Sequence, residues 1–130
     1  MYHFHIADDH PLFRNALLEV INQNFEKSTI SESSNLETTL SALAQNRDID
    51  LLLLDLNMPG SQDLYGLITV REKFPSIPIA VISANENASI INRAIGHGAS
   101  GYIPKSSSVS TLYEAIRTVT DGERWLPPHI

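Results

Sequence analysis

Side chains that can do chemistry follow four of the five short apolar runs in the sequence. They are Asp8 and Asp9 after the first run, Asp55 at the end of the third, Ser83 at the end of the fourth, and Lys105 after the fifth. Three carboxylates at one place repel one another, since a like-charged pair about 4 Å apart costs about 4 kcal/mol at an effective dielectric constant of about 20. A hard cation removes that repulsion, and Mg²⁺ prefers carboxylate oxygens.

This set of side chains is suited to phosphoryl transfer. A carboxylate such as Asp55 can act as a nucleophile and form an aspartyl phosphate. The transfer then depends mainly on positioning and charge neutralisation, which a metal ion and Lys105 can supply. The Ser83 hydroxyl can donate a hydrogen bond to another phosphate oxygen. The three carboxylates are therefore predicted to form a Mg²⁺ site that also accepts a phosphoryl group.

The elements that must position these groups alternate along the chain. The apolar runs cover residues 4–7, 29–33, 50–55, 77–83 and 101–104, and a segment with helical spacing follows each of them. Five strand–helix units with short connections predict an α/β fold, in which helices cover both faces of a parallel sheet. Ligands bind at the carboxyl ends of the strands in such sheets, so the four strand ends should meet at one rim.

Local signals add detail to this prediction. Residues 51–54 are apolar without alternation, which is typical of a strand buried on both faces. The run at 29–33 is much more polar and is predicted to form an edge strand. Ser34 and Glu37 have the spacing of a capping box, so we expect Ser34 to begin the second helix.

Composition excludes several classes of protein. The 130 residues include 42% hydrophobic residues, enough for the core of one domain, and no apolar run approaches the length of a membrane span. The net charge of −6 disfavours direct nucleic-acid binding, which needs clustered positive charge. Disulfides and thiolate metal sites are excluded because there is no cysteine. We expect a cytoplasmic protein, since the N-terminus also lacks the pattern of a secretory signal.

Several motifs resemble the receiver domain of bacterial two-component response regulators. The similarity extends from about residue 6 to residue 128, and the motifs are Asp8-Asp9, Asp55 with 56–60 (Leu-Asn-Met-Pro-Gly), Ser83-Ala84, and 101–105 (Gly-Tyr-Ile-Pro-Lys). Residues 7–14 and 122–128 are similar to the NarL/FixJ (LuxR-type) branch. The resemblance implies a flavodoxin-like (βα)5 three-layer sandwich with a parallel sheet in the order 2-1-3-4-5.

The resemblance also implies a role for each rim residue. Asp55 would take a phosphoryl group from a phosphohistidine on a sensor histidine kinase or phosphotransfer protein. Asp9 and Asp55 would ligate Mg²⁺ with the backbone carbonyl of Asn57, and Asp8 would contact the ion mostly through water. Lys105 and Ser83 would bind the phosphoryl oxygens.

Ser83 and Tyr102 would form the switch pair in this family. The serine hydroxyl would move toward the phosphate, the aromatic ring of Tyr102 would turn inward, and the surface of the fourth helix, fifth strand and fifth helix would change. Homodimer contacts would use that surface or the first and fifth helices. We expect residues 1–122 to form the receiver and residues 123–130, with Pro127 and Pro128, to begin a linker to a helix-turn-helix domain that would contact DNA.

One position departs from the family pattern. Asp63 stands where the family often has a glycine, three residues after the glycine of the Met-Pro-Gly motif. A negative charge is favourable near a helix N-terminus, but it could also weaken access for the phosphodonor or alter the choice of partner.

Other interpretations of the same residues remain open at this stage. Asp8 and Asp9 could simply cap the first helix, and Tyr102 could pack in the sheet with its hydroxyl at the surface. His10 lies near the acidic pair, where it could tune access or only pack in a loop. The whole chain could be a degenerate receiver that binds a protein or ligand constitutively. A phosphatase of the haloacid dehalogenase type is disfavoured, because its second aspartate would stand where this sequence has Asn57.

Overall fold

Each apolar run forms a strand and each amphipathic segment forms a helix. The computed structural model describes all 130 residues. The strands are β1 (Tyr2–Ala7), β2 (Ser28–Ser33), β3 (Leu51–Asp55), β4 (Ile79–Ser83) and β5 (Gly101–Pro104). The helices are α1 (Pro11–Asn24), α2 (Leu36–Gln45), α3 (Tyr65–Lys73), α4 (Ala88–Gly96) and α5 (Val109–Thr120). All strand pairs are parallel and the order is β2-β1-β3-β4-β5, which confirms the predicted flavodoxin-like fold.

Two apolar layers hold the helices on opposite faces of the sheet. Alternate leucines of β3 point to opposite faces: Leu51 and Leu53 pack in the layer beneath α1 and α5, and Leu52 and Leu54 in the layer beneath α2, α3 and α4. All four are fully buried, and full burial of a leucine side chain stabilises the fold by about 1.5–3 kcal/mol. The central strand therefore anchors both layers and gives Asp55, its last residue, a rigid support.

The second helix begins one residue later than the sequence predicted. Asn35 is its N-cap, and the Asn35 side chain accepts a hydrogen bond of 2.8 Å from the Thr38 amide. The predicted capping box of Ser34 and Glu37 is therefore wrong. Asn and Ser are about equally good caps, so adjacent candidates cannot be separated by residue type. The prediction that the polar run at 29–33 forms an edge strand is confirmed, since β2 ends the sheet.

The chain after α5 returns to the sheet. It turns at Gly122, whose φ of +88° lies in the left-handed region, and Trp125 then forms a parallel bridge with Gly101 of β5. We call residues 123–130 the strap. None of the five helices combines the length and the apolar character that crossing a bilayer requires.

Candidate functional site

The carboxyl ends of β1, β3, β4 and β5 form one polar rim, as the sequence predicted. The Asp8 amide extends the sheet ladder by donating to the Ser33 carbonyl at 3.0 Å. The Lys105 amide donates to the Ser83 carbonyl at 2.9 Å on the other side of the rim. Because these backbone groups are held by the sheet, the side chains leave it from fixed points. Asp8 and Asp55 are fully buried there.

Carboxylates crowd together at the centre of the rim. Ligand atoms of Asp8, Asp9, His10 and Asp55 all lie within 4.8 Å of one another. The ammonium group of Lys105 lies 3.2 Å from Asp55 Oδ2 and 3.5 Å from Asp8 Oδ1. Three carboxylates facing one ammonium group leave two negative charges uncompensated, which is the charge that a divalent cation cancels.

Two carboxylate oxygens of the rim have no hydrogen-bond partner although they are buried. They are Asp8 Oδ2 and Asp9 Oδ1. Asp9 Oδ1 does lie 3.2 Å from His10 Nδ1, but without the geometry of a hydrogen bond. Buried polar atoms are normally paired, and an orphaned carboxylate oxygen is costly unless a cation accompanies it. The residues present therefore fit Mg²⁺, whose ligands are oxygens of this kind.

His10 belongs to the rim, which the sequence left open. Its Nδ1 lies 2.7 Å from Lys105 Nζ, 3.2 Å from Asp8 Oδ1 and 3.5 Å from Asp55 Oδ2. Its amide also donates to Asp8 Oδ1 at 2.7 Å, as residue 10 leads into α1. The His10 side chain is more than half exposed and covers the buried carboxylates. Its position after Asp8-Asp9 was visible in the sequence, but the direction of a loop side chain was not.

Arg14, whose role the sequence did not indicate, contacts the backbone of the acidic pair. Arg14, one turn into α1, donates from Nη1 to the Asp8 carbonyl at 2.7 Å and pairs with Glu32 of β2. This cation is directed at the backbone and at Glu32, so it leaves the carboxylates of the rim uncompensated. Only Lys105 faces them with a permanent positive charge.

The loop after β3 turns back toward the Asp55 carboxylate. The Asn57 amide donates to Asp55 Oδ1 at 3.0 Å, which fixes the orientation of that carboxylate and holds residue 57 beside it. Residues 57–63 and Asp9 line an open cavity of about 410 Å³ next to the carboxylates. The cavity gives a route from solvent to a group that is otherwise buried.

Ser83 and Tyr102 meet at the loop between β4 and α4. The Ser83 hydroxyl accepts from the Asn85 amide at 3.0 Å, and the Tyr102 hydroxyl donates to the Asn85 carbonyl at 2.6 Å. The Tyr102 ring is already fully buried, so the inward position that the family resemblance assigns to the phosphorylated state is occupied here without a phosphoryl group. This burial raises the pKa of its phenol. The alternative in which its hydroxyl lies at the surface is therefore wrong, because the residue is fully buried and its hydroxyl is bonded to Asn85 in the β4–α4 loop.

Asp63 has a left-handed backbone conformation, which glycine adopts without strain. Its φ of +55° is left-handed, a region that Asp tolerates better than most residues. Its side chain is largely exposed, lines the cavity beside Asp9, and lies 3.6 Å from the Arg93 guanidinium of α4. Asp63 thus forms an ion pair between the β3–α3 loop and α4.

Comparison with known proteins agrees with this geometry. The profile of the response regulator receiver domain matches residues 4–117. The chain belongs to the response regulator receiver family. Over all 130 residues it is 45% identical to the glycerol metabolism activator of Pseudomonas putida, covering 59% of that protein. It is 36% identical over 118 residues to the nitrate/nitrite response regulator NarL of Escherichia coli, covering 91% of this chain and 54% of NarL.

A solved structure supports the same branch. A LuxR family DNA-binding response regulator from Silicibacter pomeroyi superposes with a TM-score of 0.88 at 28% identity, covering 100% of both chains. These relatives confirm the predicted NarL/FixJ branch. The chain spans only a little over half the length of the curated relatives it matches.

Receiver domains are signalling domains and not classical enzymes, so the family excludes the haloacid dehalogenase alternative. A degenerate receiver would lack some of the groups that the switch needs. Here Asp8, Asp9, Asp55 and Lys105 are all present and converge at one rim. Nothing in the structure favours the degenerate alternative.

Proposed function

We propose that Asp55 accepts the phosphoryl group that switches this receiver. The observation that carries the proposal is the contact of 3.2 Å between its buried carboxylate and Lys105, at the bottom of a carboxylate cluster with unpaired oxygens. An Asp55 oxygen attacks the phosphorus of a phosphohistidine, the new P–O bond forms as the P–N bond breaks, and the bonding electron pair leaves with the nitrogen. Lys105 neutralises charge on the transferred group, and the Ser83 hydroxyl donates to one of its oxygens.

Mg²⁺ would be held by Asp9, Asp55 and the backbone carbonyl of Asn57, with Asp8 acting mostly through water. When bound, the ion neutralises negative charge on the carboxylates and the phosphoryl oxygens. The chain itself supplies the orientation, because the Asn57 amide fixes Asp55 Oδ1 and the amide of His10 fixes Asp8 Oδ1. Asp55 Oδ2 is the oxygen that faces Lys105 and is the better placed nucleophile.

The phosphodonor would be a sensor histidine kinase or a phosphotransfer protein in the cytoplasm. We propose that residues 1–122 are the receiver and that residues 123–130 lead toward a helix-turn-helix output domain in the full-length protein, through which it would contact DNA and regulate transcription. The names of the relatives, an activator and a DNA-binding response regulator, support this output. Ser83 and Tyr102 would transmit the switch, and a homodimer would form through the α4–β5–α5 surface or through α1 and α5.

Intact mass spectrometry tests the proposal. The chain is incubated with acetyl phosphate in the presence or absence of Mg²⁺, beside an Asp55→Asn control that keeps the size of the side chain but removes the nucleophilic carboxylate. We expect a gain of one phosphoryl group in the wild type with Mg²⁺ only, and none in Asp55→Asn. Equal phosphorylation of Asp55→Asn would contradict the assignment, and no phosphorylation of either protein would revive the degenerate receiver.

A further inference from the structure

The strap is attached to β5 near the amino end of the sheet. The Trp125 amide donates to the Ser100 carbonyl at 3.1 Å, and the Tyr102 amide donates to the Trp125 carbonyl at 3.2 Å. Gly101 permits this close approach, because a Cβ there would lie 3.3 Å from the Trp125 carbonyl and 3.0 Å from Val119. The strap thus forms two backbone hydrogen bonds with the start of a sheet edge that would otherwise be open.

Side chains of the strap are packed as part of the domain. Trp125 packs against the layer beneath α1 and α5, and Leu126 against the layer on the opposite face. Pro127 is buried. A free linker would bury none of these side chains, so the strap has a defined position.

Its far end reaches the rim. His129 Nε2 lies 2.9 Å from the carbonyl oxygen of Glu86, in the loop between β4 and α4. The strap therefore runs from the start of β5 to the loop between β4 and α4. In this loop the backbone of Asn85 is hydrogen-bonded to the hydroxyls of both Ser83 and Tyr102. Tyr102 is bound from two sides, because its amide donates to the strap and its hydroxyl to this loop.

We propose that the strap reports phosphorylation: its end at His129 is released from Glu86 when Ser83 turns toward a phosphoryl group on Asp55. The inference rests on the proposed function. The Ser83 hydroxyl accepts from the Asn85 amide, so a movement of the hydroxyl draws that amide with it. The Glu86 carbonyl follows in the chain and moves away from His129. Loss of that anchor loosens the strap along β5 and changes the direction in which the chain leaves the domain.

Coupling of this kind acts in both directions. If the His129–Glu86 contact stabilises the unphosphorylated loop, removing it favours the phosphorylated one. Since the contact is an exposed hydrogen bond, we expect His129→Ala to bind a phosphoryl mimic about threefold more tightly. His97→Ala is the matched control, because His97 is also exposed and lies at the end of α4 outside the strap.

The experiment uses beryllofluoride with Mg²⁺ as the phosphoryl mimic. Fluorine NMR measures occupancy of the site, and the fluorescence of Trp125, the only tryptophan, with hydrogen exchange of the Tyr102 amide reports the strap. We expect the wild type and His97→Ala to change their Trp125 emission and to exchange the Tyr102 amide faster as the site fills. His129→Ala should show these changes without ligand and bind more tightly.

Three results would overturn the proposal, and they differ in what they leave standing. Full occupancy with unchanged emission and exchange, or an unchanged affinity of His129→Ala, would overturn the strap and leave the proposed function standing. No occupancy in the wild type would overturn the proposed function, and the strap with it.

Discussion

Two buried polar clusters adjoin β1, and they differ in whether their polar atoms have hydrogen-bond partners. In the first, His5 lies within 2.6 Å of the Ser31 hydroxyl and 2.8 Å of the Ser33 hydroxyl. Ser33 lies 2.6 Å from Thr39, which donates to the Asn35 carbonyl at 2.7 Å. In this cluster every ring nitrogen and hydroxyl has a partner. It holds β1, β2 and α2 together without any charge.

The rim begins at Asp8, three residues after His5, and some of its polar atoms lack hydrogen-bond partners. Asp8 and Asp55 are as deeply buried as His5, yet two carboxylate oxygens of the rim have no hydrogen-bond partner. Lys105 is the one lysine at the rim, and it contacts only Asp8 and Asp55. A closed polar cluster stabilises a fold, whereas an open and like-charged cluster costs stability until something binds. The closed cluster is therefore suited to holding the fold together, and the open cluster to binding a ligand.

The largest effect is expected from pH at the closed cluster. Burial lowers the pKa of His5 to about 4, from an ordinary value of 6.5. The unfolded chain therefore binds the proton more readily, so stability is full above pH 6.5 and is lost as the pH falls toward 4. The wild type should lose about 2–3 kcal/mol from this group between about pH 7.5 and about pH 4.5.

Urea unfolding at the two pH values measures this loss. The His5→Gln variant should lack it, although Gln at this position lowers stability at neutral pH. The exposed residue His97 supplies the control, and His97→Gln should keep the pH dependence of the wild type. An identical pH dependence of His5→Gln and the wild type would contradict the buried neutral histidine.

Replacement of one polar side chain in each cluster should change the free energy of unfolding in opposite directions. Thr39→Val keeps the shape but removes the hydroxyl that contacts Ser33 and donates to the Asn35 carbonyl, and should lower the free energy of unfolding by about 1–2 kcal/mol. Asp8→Asn removes one of the crowded charges and should raise it by about 1 kcal/mol without metal. Urea unfolding in chelator measures both. A destabilised Asp8→Asn would show that the rim is a closed ion-pair network.

Mg²⁺ should reverse the order of stability of the wild type and Asp8→Asn. At about ten times its dissociation constant, the ion should stabilise the wild type by about 1.4 kcal/mol. Mg²⁺ should stabilise Thr39→Val by the same amount, since the rim of this variant is intact. It should stabilise Asp8→Asn clearly less. Thermal unfolding with and without Mg²⁺ checks this. Equal stabilisation of all three proteins would place the ion elsewhere.

The smallest effect concerns the exposed charge at Asp63, outside both clusters. Asp63→Gly removes the ion pair with Arg93, which is worth little at the surface, but relieves the left-handed backbone, so stability should change by less than about 0.5 kcal/mol. Asp63→Ala keeps the strained conformation and should lose about 1 kcal/mol. Thermal unfolding distinguishes the pair. A larger loss in Asp63→Gly would mean that the contact with Arg93 matters more than the backbone.

Much of the fold and rim was predictable because it depends on strand order and strand ends. Alternation of apolar and amphipathic segments predicts parallel strands, and parallel strands bring Asp8, Asp55, Ser83 and Lys105 to one edge. The features that the sequence did not reveal depend on the direction in which individual side chains and loop segments turn. Nothing in the sequence tells that His10 turns toward Lys105. Residues 123–130 contain prolines and no periodicity, so their binding to β5 was hidden, since the partners are backbone groups of Ser100 and Tyr102.

The central claim is that the open cluster receives its phosphoryl group on Asp55. Borohydride reduces an acyl phosphate to an alcohol, so treatment after phosphorylation converts the modified aspartate to homoserine, which peptide mass spectrometry locates. We predict homoserine at position 55 alone, and only when phosphodonor and Mg²⁺ were both present. Homoserine at position 8 or 9, or none in a chain that has gained phosphoryl mass, would contradict the account.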